Sequence, residues 1–302
     1  MSKSTSPPAA RLVSSAARRR QTLGLLDMIA ACLLFSLMNA GVYASQRLDP
    51  GLPAVMASFI RILCNLAVLI LPALAGRRLT ALLGDCRPSL WLRGLFGASA
   101  LMLSFTSIAW IGPGESTFLT SSSGVFVALL SPFLLAQKNS LAVWLAIVGA
   151  FSGVGLLFDF QQSGNLFGQA TALGAGLLSA LAYLMLARAG RSNPATTIIF
   201  YFCLAALILH AAYFTAFGFR WPASPESWGL LIVVGLLGSG AQHFLTRAYQ
   251  SAPAALVSSV GYLTPVLSLS WGAIFFEQIP SSTALLGAVL ILLFGVLLPF
   301  LR

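Results

Sequence analysis

The chain has 302 residues, of which 58% are hydrophobic and 8% charged, with a mean hydropathy of +0.90. A soluble domain of this length needs far more polar surface, so the composition excludes one. The net charge of +10 does not indicate a nucleic-acid partner, because the basic residues are scattered over several loops rather than gathered on one face.

Residues 1–23 are polar, contain Pro7, Pro8 and the run Arg18-Arg19-Arg20, and read as a disordered basic cytosolic tail. A cleaved signal peptide is the weaker alternative. Val42 and Ala44 form a passable cleavage site, but the apolar stretch before them is too long and nine more follow.

Ten apolar runs then cover 24–45, 53–75, 91–110, 114–136, 141–159, 167–187, 195–218, 227–247, 252–276 and 281–301. Each is long enough to cross a hydrocarbon core of ~30 Å at ~1.5 Å per residue. The runs are continuous rather than alternating, which excludes β-barrel strands. Short breaks separate them, among them Asp49-Pro50-Gly51, Gly112-Pro113-Gly114, Asn193-Pro194 and Ala252-Pro253. The expected fold is an all-α membrane protein of ten transmembrane helices.

Charge gives the orientation. With the tail in the cytosol, the inner loops hold Arg77, Arg78, Arg87, Arg93, Lys138, Arg188, Arg191 and Arg247, and the outer loops only Arg47 and Arg220. Both termini are therefore expected in the cytoplasm, in a cell inner membrane. Cys32, Cys64, Cys86 and Cys203 show no metal-like or redox spacing and read as small packing residues, so no metal or cofactor is expected.

The second five runs echo the first five. An offset of about 140 residues brings Pro113 onto Pro253 and Gly155 onto Gly295. An offset of 144 brings Gly24 onto Gly168 and Asp49-Pro50 onto Asn193-Pro194. Five is odd, so the copies, 24–159 and 168–301, must enter the membrane in opposite directions. Such inverted repeats are a hallmark of transporters whose halves rock about a midplane site.

The stretch from Arg247 to Leu298 reads RAYQSAPAALVSSVGYLTPVLSLSWGAIFFEQIPSSTALLGAVLILLFGVLL. It has an Ala-x-x-x-x-Pro step, a mid-helix Pro, a Glu after the ninth span and a Gly-containing last span. In these features, and in Arg61 within the second span, the chain resembles the EamA-like family of the drug/metabolite transporter superfamily. The first repeat departs from that pattern, with Gln137-Lys138 where the second has Glu277 and Gly124-Val125 where it has Thr264-Pro265. The resemblance implies ten helices, a central cavity lined mainly by the third, fourth, eighth and ninth, and movement of a small organic metabolite, often outward.

Several residues are candidates for the path. In the ninth span Pro265 removes a backbone donor from the carbonyl of Gly261, and a kink there would present that carbonyl with Tyr262 to a polar ligand. A plain packing kink is an equal alternative. In the fourth span Ser116, Thr120 and Ser123 share one helical face, echoed by Ser258, Ser259 and Tyr262, as a hydroxyl path or as close small-residue packing. Trp110 and Gln242 join the candidate path, although interfacial anchoring explains Trp110 equally well.

Intramembrane charge is costly, which singles out Arg61, with Glu115 at the outer end of the fourth span as its candidate partner or as a proton carrier. His243, near the cytosolic end of the eighth span, is a candidate proton relay, and His210 lies in the outer half of the seventh. For either histidine, simple hydrogen bonding is the commoner reading.

The function expected is a secondary transporter of a small organic metabolite, with export across the cytoplasmic membrane by alternating access. The partners expected are that substrate, the lipid bilayer and the proton as candidate coupling ion, with the chain a monomer or weak homodimer. Uptake of a nucleoside or vitamin-like compound is the alternative. An intramembrane enzyme is disfavoured, because Ser239 and His243 lie one turn apart without a hydrolase elbow. No phosphate-binding loop for ATP is present in the sequence, and no ring of charge suggests a channel.

Overall fold

A computed structural model describes residues 8–76, 79–135, 140–157, 165–190, 192–252, 257 and 260–297. Among these the chain is helical throughout, without a strand. The helices are α1 (Pro8–Leu48), α2 (Ala54–Ala75), α3 (Pro88–Ile111), α4 (Pro113–Thr120), α5 (Ser123–Leu135) and α6 (Leu141–Leu157) in the first half. In the second half they are α7 (Leu166–Ala189), α8 (Ala195–Phe217), α9 (Pro225–Ser251), α10 (Leu263–Phe276) and α11 (Ser282–Leu297).

Among the described residues six helices, α1–α3 and α7–α9, are long and apolar enough to cross a membrane, and α6, α10 and α11 are shorter apolar helices. The chain is a multi-pass membrane protein. α1 takes in residues 8–23, where the sequence predicts disorder, because nothing after Pro8 breaks the helix.

Local chemistry sets the ends. Pro88, Pro113 and Pro225 open α3, α4 and α9, where a missing N–H costs nothing. Asn165 and Ser224 cap α7 and α9, accepting from Gly168 N and Ser227 N. α3 stops at Gly112, whose φ of 81° lies in the left-handed region that glycine reaches without strain.

The contacts between the halves are symmetric under exchange of the halves. α1 runs along α9 as α7 runs along α3, and α2 meets α9 as α8 meets α3. α6 crosses α11 through a close approach at Gly153, where a side-chain carbon would stand 2.7 Å from the carbonyl oxygen of Gly287. In a membrane such van der Waals contact, rather than water exclusion, holds helices together.

Two loop clamps repeat the symmetry at opposite ends. Between α1 and α2, Asp49 accepts from Ala223 N at 3.0 Å and pairs with Arg220 at 3.6 Å, so it grips the α8–α9 loop. Between α7 and α8, Asn193 donates to Asp85 Oδ1 at 2.8 Å and accepts from Asp85 N at 3.1 Å, so it grips the α2–α3 loop. These two residues are the ones the 144-residue offset superposes. The C-terminal end of α7 lies beside the N-terminal end of α1: Gln250 donates to Asn193 O at 3.3 Å and accepts from Arg20 at 3.1 Å.

The predicted fourth span is two helices, α4 and α5, parted by a turn at Ser121-Ser122. The cause is hydroxyl competition. Ser122 Oγ donates to Leu119 O at 2.6 Å, and that carbonyl accepts Ser122 N three residues on at 3.1 Å. Thr117 O still accepts Ser121 N at 2.9 Å beside the Ser121 hydroxyl, so the helical pattern is lost at Leu119. The predicted ninth span breaks at Tyr262, 140 residues later, and α10 starts 140 residues after α5. Pro265 is thus the third residue of a new helix rather than a kink within one, and first-turn proline is well tolerated.

Candidate functional site

A cavity of about 860 Å³ lies between the halves and draws its wall from both. It opens at the end of the bundle where Arg20 and Gln250 lie. The opposite end is shut. There Asn39 of α1 donates to Thr117 Oγ1 of α4 at 3.3 Å and to Ser268 Oγ of α10 at 3.4 Å, and the Gln278 side chain packs on Gly112.

Arg61, on α2, is 3% exposed and lines this cavity. Its guanidinium lies 5.8 Å from the ring centres of both Phe35 and Phe105. Its Nε rests against Gly238 of α9, where any side-chain carbon would stand 2.4 Å away. That Nε has no hydrogen-bond partner. Contact with the two ring faces offsets part of the cost of burying the charge.

Arg93 corrects the sequence reading. Grouped there with the inner-loop charges, it is 4% exposed on the cavity wall, with its guanidinium 5.4 Å from the ring centre of Phe202. Its Nε and Nη1 have no hydrogen-bond partner. α3 begins at Pro88, more than one turn earlier, so Arg93 is inside the helix. Gly97, one turn on, leaves room for the guanidinium.

Three aspartates are engaged elsewhere. Asp27 pairs with Arg247 at 3.3 Å, Asp49 with Arg220 at 3.6 Å and Asp85 with Arg87 at 3.1 Å. Glu115, the expected partner of Arg61, instead accepts from Gln169 Nε2 at 2.7 Å and lines a separate cavity of about 240 Å³. Among the described residues no carboxylate lies on the wall of the large cavity.

Of the other sequence candidates, Thr120, Ser123, Gln242, Gly261 and Tyr262 line the cavity. Gln242 is 4% exposed with its Nε2 unpartnered, and the buried Tyr262 hydroxyl is also unpartnered. Ser116 is buried off the wall, and Pro265 is buried behind it. The Gly261 carbonyl lies 3.9 Å from the Cys32 thiol, a weak donor. Trp110 is 58% exposed and packs on Phe167, and His243 is exposed beside Phe244, so neither reaches the cavity. Ser259, with Ser258, lies outside the described residues. His210 is hydrogen-bonded on both ring nitrogens, to Ser58 and Ala206 O, each at 2.7 Å.

Sequence reasoning missed Arg93, Asn39 and the stacked pair Tyr183–Tyr249, whose ring centres are 5.9 Å apart on the wall. A signal was available for Asn39, a polar residue well inside the run 24–45, whereas Arg93 is only the third residue of its run, 91–110.

A largely apolar cavity carrying two buried arginines, set between two pseudo-symmetric helical halves with an apolar exterior, is the architecture of a multi-pass membrane transporter. The chain belongs to the EamA-like transporter family, whose model matches it twice, over residues 22–159 and 166–300. It is 30% identical to the pseudopaline exporter CntI of Pseudomonas aeruginosa (strain UCBPP-PA14), over 89% of this chain and 93% of that one. It is 28% identical to solute carrier family 35 member G1 of Mus musculus, over 88% of this chain and 75% of that one. It is 27% identical to a riboflavin transporter of Rhizobium johnstonii, over 90% and 89% of the two chains. A solved crystal structure shares the fold with a TM-score of 0.66 at 18% identity, covering 92% of this chain and 97% of its own. The family and these relatives are transporters, not enzymes, and the Ser239 hydroxyl is given to Gly235 O at 2.8 Å.

Proposed function

We propose that this chain is a secondary transporter that exports a small organic metabolite across the inner membrane by alternating access. On this reading ten transmembrane helices form two inverted five-helix repeats, 24–159 and 168–301, and both termini lie in the cytoplasm. The observation that carries it is the 860 Å³ cavity between the repeats, open at one end and closed at the other. The open end holds Arg20 and Gln250, and the positive-inside rule assigns that end to the cytoplasm.

Turning outward then requires parting the Asn39 contacts to Thr117 and Ser268, together with the Gln278–Gly112 contact. Thr120, Ser123, Gln242, Gly261 and Tyr262 face the substrate during that exchange. Glu115, beside the closed end, is the candidate proton carrier. The similarity to an exporter over most of both chains favours the outward direction. Uptake of a vitamin-like compound is the second reading, favoured by the riboflavin transporter among the relatives.

The test is flux in proteoliposomes. Purified protein is screened for thermal stabilisation by metabolites, and each hit is loaded inside and outside. Counterflow of a stabilising compound supports a carrier, and preferential accumulation on the closed-end side supports export. Well-folded protein that moves no stabilising compound overturns the reading.

A further inference from the structure

The wall of the large cavity is electrically one-sided. It carries Arg20 at the mouth and Arg61 and Arg93 deep between the helices, and among the described residues no carboxylate faces them. Buried cations are ordinarily paired, and both of these have nitrogens without a hydrogen-bond partner. Aromatic faces contact each guanidinium, at Phe35, Phe105 and Phe202, but a ring supplies no acceptor for an N–H.

Resting on the reading of this cavity as the transport site, we propose that its substrate is an organic anion, whose acidic oxygens are received by Arg61 and Arg93. The planar guanidinium fork suits carboxylate and phosphate alike. The volume is that of a site for an organic ligand rather than a lone inorganic ion. The stacked pair Tyr183–Tyr249 offers an apolar surface to the carbon frame. Arg20, exposed at the mouth, raises the local concentration of anions on the way in.

The experiment uses the full chain in detergent at fixed ionic strength. Melting temperatures are read with size-matched probes: citrate and 2-oxoglutarate as carboxylates, glucose 6-phosphate as a phosphate ester, glucose as a neutral and spermidine as a cation. The expected result is stabilisation by several degrees with the carboxylates or the phosphate ester alone, and the arm that responds names the acid. The apparent affinity falls at least tenfold in Arg61→Gln and in Arg93→Gln, is partly kept in Arg61→Lys, and is unchanged in Arg87→Gln, an exposed control. Without ligand, the two glutamine variants melt no lower than the parent, because each removes an uncompensated buried charge.

Equal stabilisation by the neutral or cationic probe, no stabilisation by any anion, or anion binding that survives both glutamine substitutions would overturn the proposal. So would a lower ligand-free melting temperature in both glutamine variants, which marks the arginines as structural. Binding is read here without flux. Anion binding by a protein that transports nothing removes the transport reading alone, and flux of neutral compounds alone removes this one.

Discussion

The Tyr262 hydroxyl, in the second half, rests against the backbone of Gly124, in the first, so closely that a methyl group on Gly124 would stand 2.8 Å from it. On its other side a carbon at Gly295 would stand 2.2 Å from the Tyr262 ring and hydroxyl. The tyrosine sits at the break before α10, and Gly124 is the second residue after the break between α4 and α5. The weakest points of the two repeats therefore meet on the cavity wall.

This contact is testable by a double-mutant cycle. Gly124→Ala is expected to lower stability by about 1–3 kcal/mol through overpacking, and to slow flux. Tyr262→Phe removes an oxygen that has no hydrogen-bond partner, so it should cost little alone and should rescue much of the Gly124→Ala defect. Additive losses in melting temperature and flux would mean that the two residues do not share this contact.

Pro265→Ala restores an N–H that can bond the Gly261 carbonyl and run the helix through Tyr262. Insertion into the membrane and melting temperature should be preserved or improved, with flux reduced severalfold. Wild-type flux would show that the break is not needed for movement.

Glu115→Gln keeps the size of the side chain that accepts from Gln169 but removes its charge. With Glu115 as proton carrier, pH-driven accumulation is lost while substrate exchange at equal pH persists. Unchanged pH dependence would remove Glu115 from coupling.

Asp85 lies in the α2–α3 loop, and its carboxyl is held below the usual carboxylate range, chiefly by the Ser192 hydroxyl hydrogen bond, then by Asn193 and Arg87. A carboxyl depressed on folding contributes stability above its unfolded pKa, ~3.9 for an aspartate, and loses it as pH falls through the folded value. Asp85→Asn should therefore melt below the parent at neutral pH, and the gap should close on acidification below about pH 4. A gap that stays constant with pH would assign the loss to altered hydrogen bonding instead.

The all-helical membrane fold was readable because apolar runs report what faces lipid, and the repeat was readable because the breaks recur in order, whereas the lengths of the individual helices were not. The split of the fourth span at Ser121-Ser122 was hidden, since a hydroxyl pointing to a ligand and one bonding its own helix have the same one-letter code. Arg93 was misread for a related reason. Counting positive charge assigns loops, but a cation one turn inside a helix contributes to the same count while lining the interior. Arg61 stood out because no other charged residue falls within its run, 53–75. The separation of Glu115 from it depended on Gln169, which only the packing of α4 on α7 brings near.

Two unpaired guanidiniums also give the protein an electrical character. A charge carried across the full membrane potential is worth ~2.3 kcal/mol per 100 mV. On the anion reading, a carrier loaded with a dianion turns as a nearly neutral body, whereas the empty one turns with Arg61 and Arg93 uncompensated. A voltage negative inside draws the empty site back to the cytoplasmic face and leaves the loaded turn unopposed. Resting potential would then act as a ratchet for expelling acids, in addition to any proton carried by Glu115.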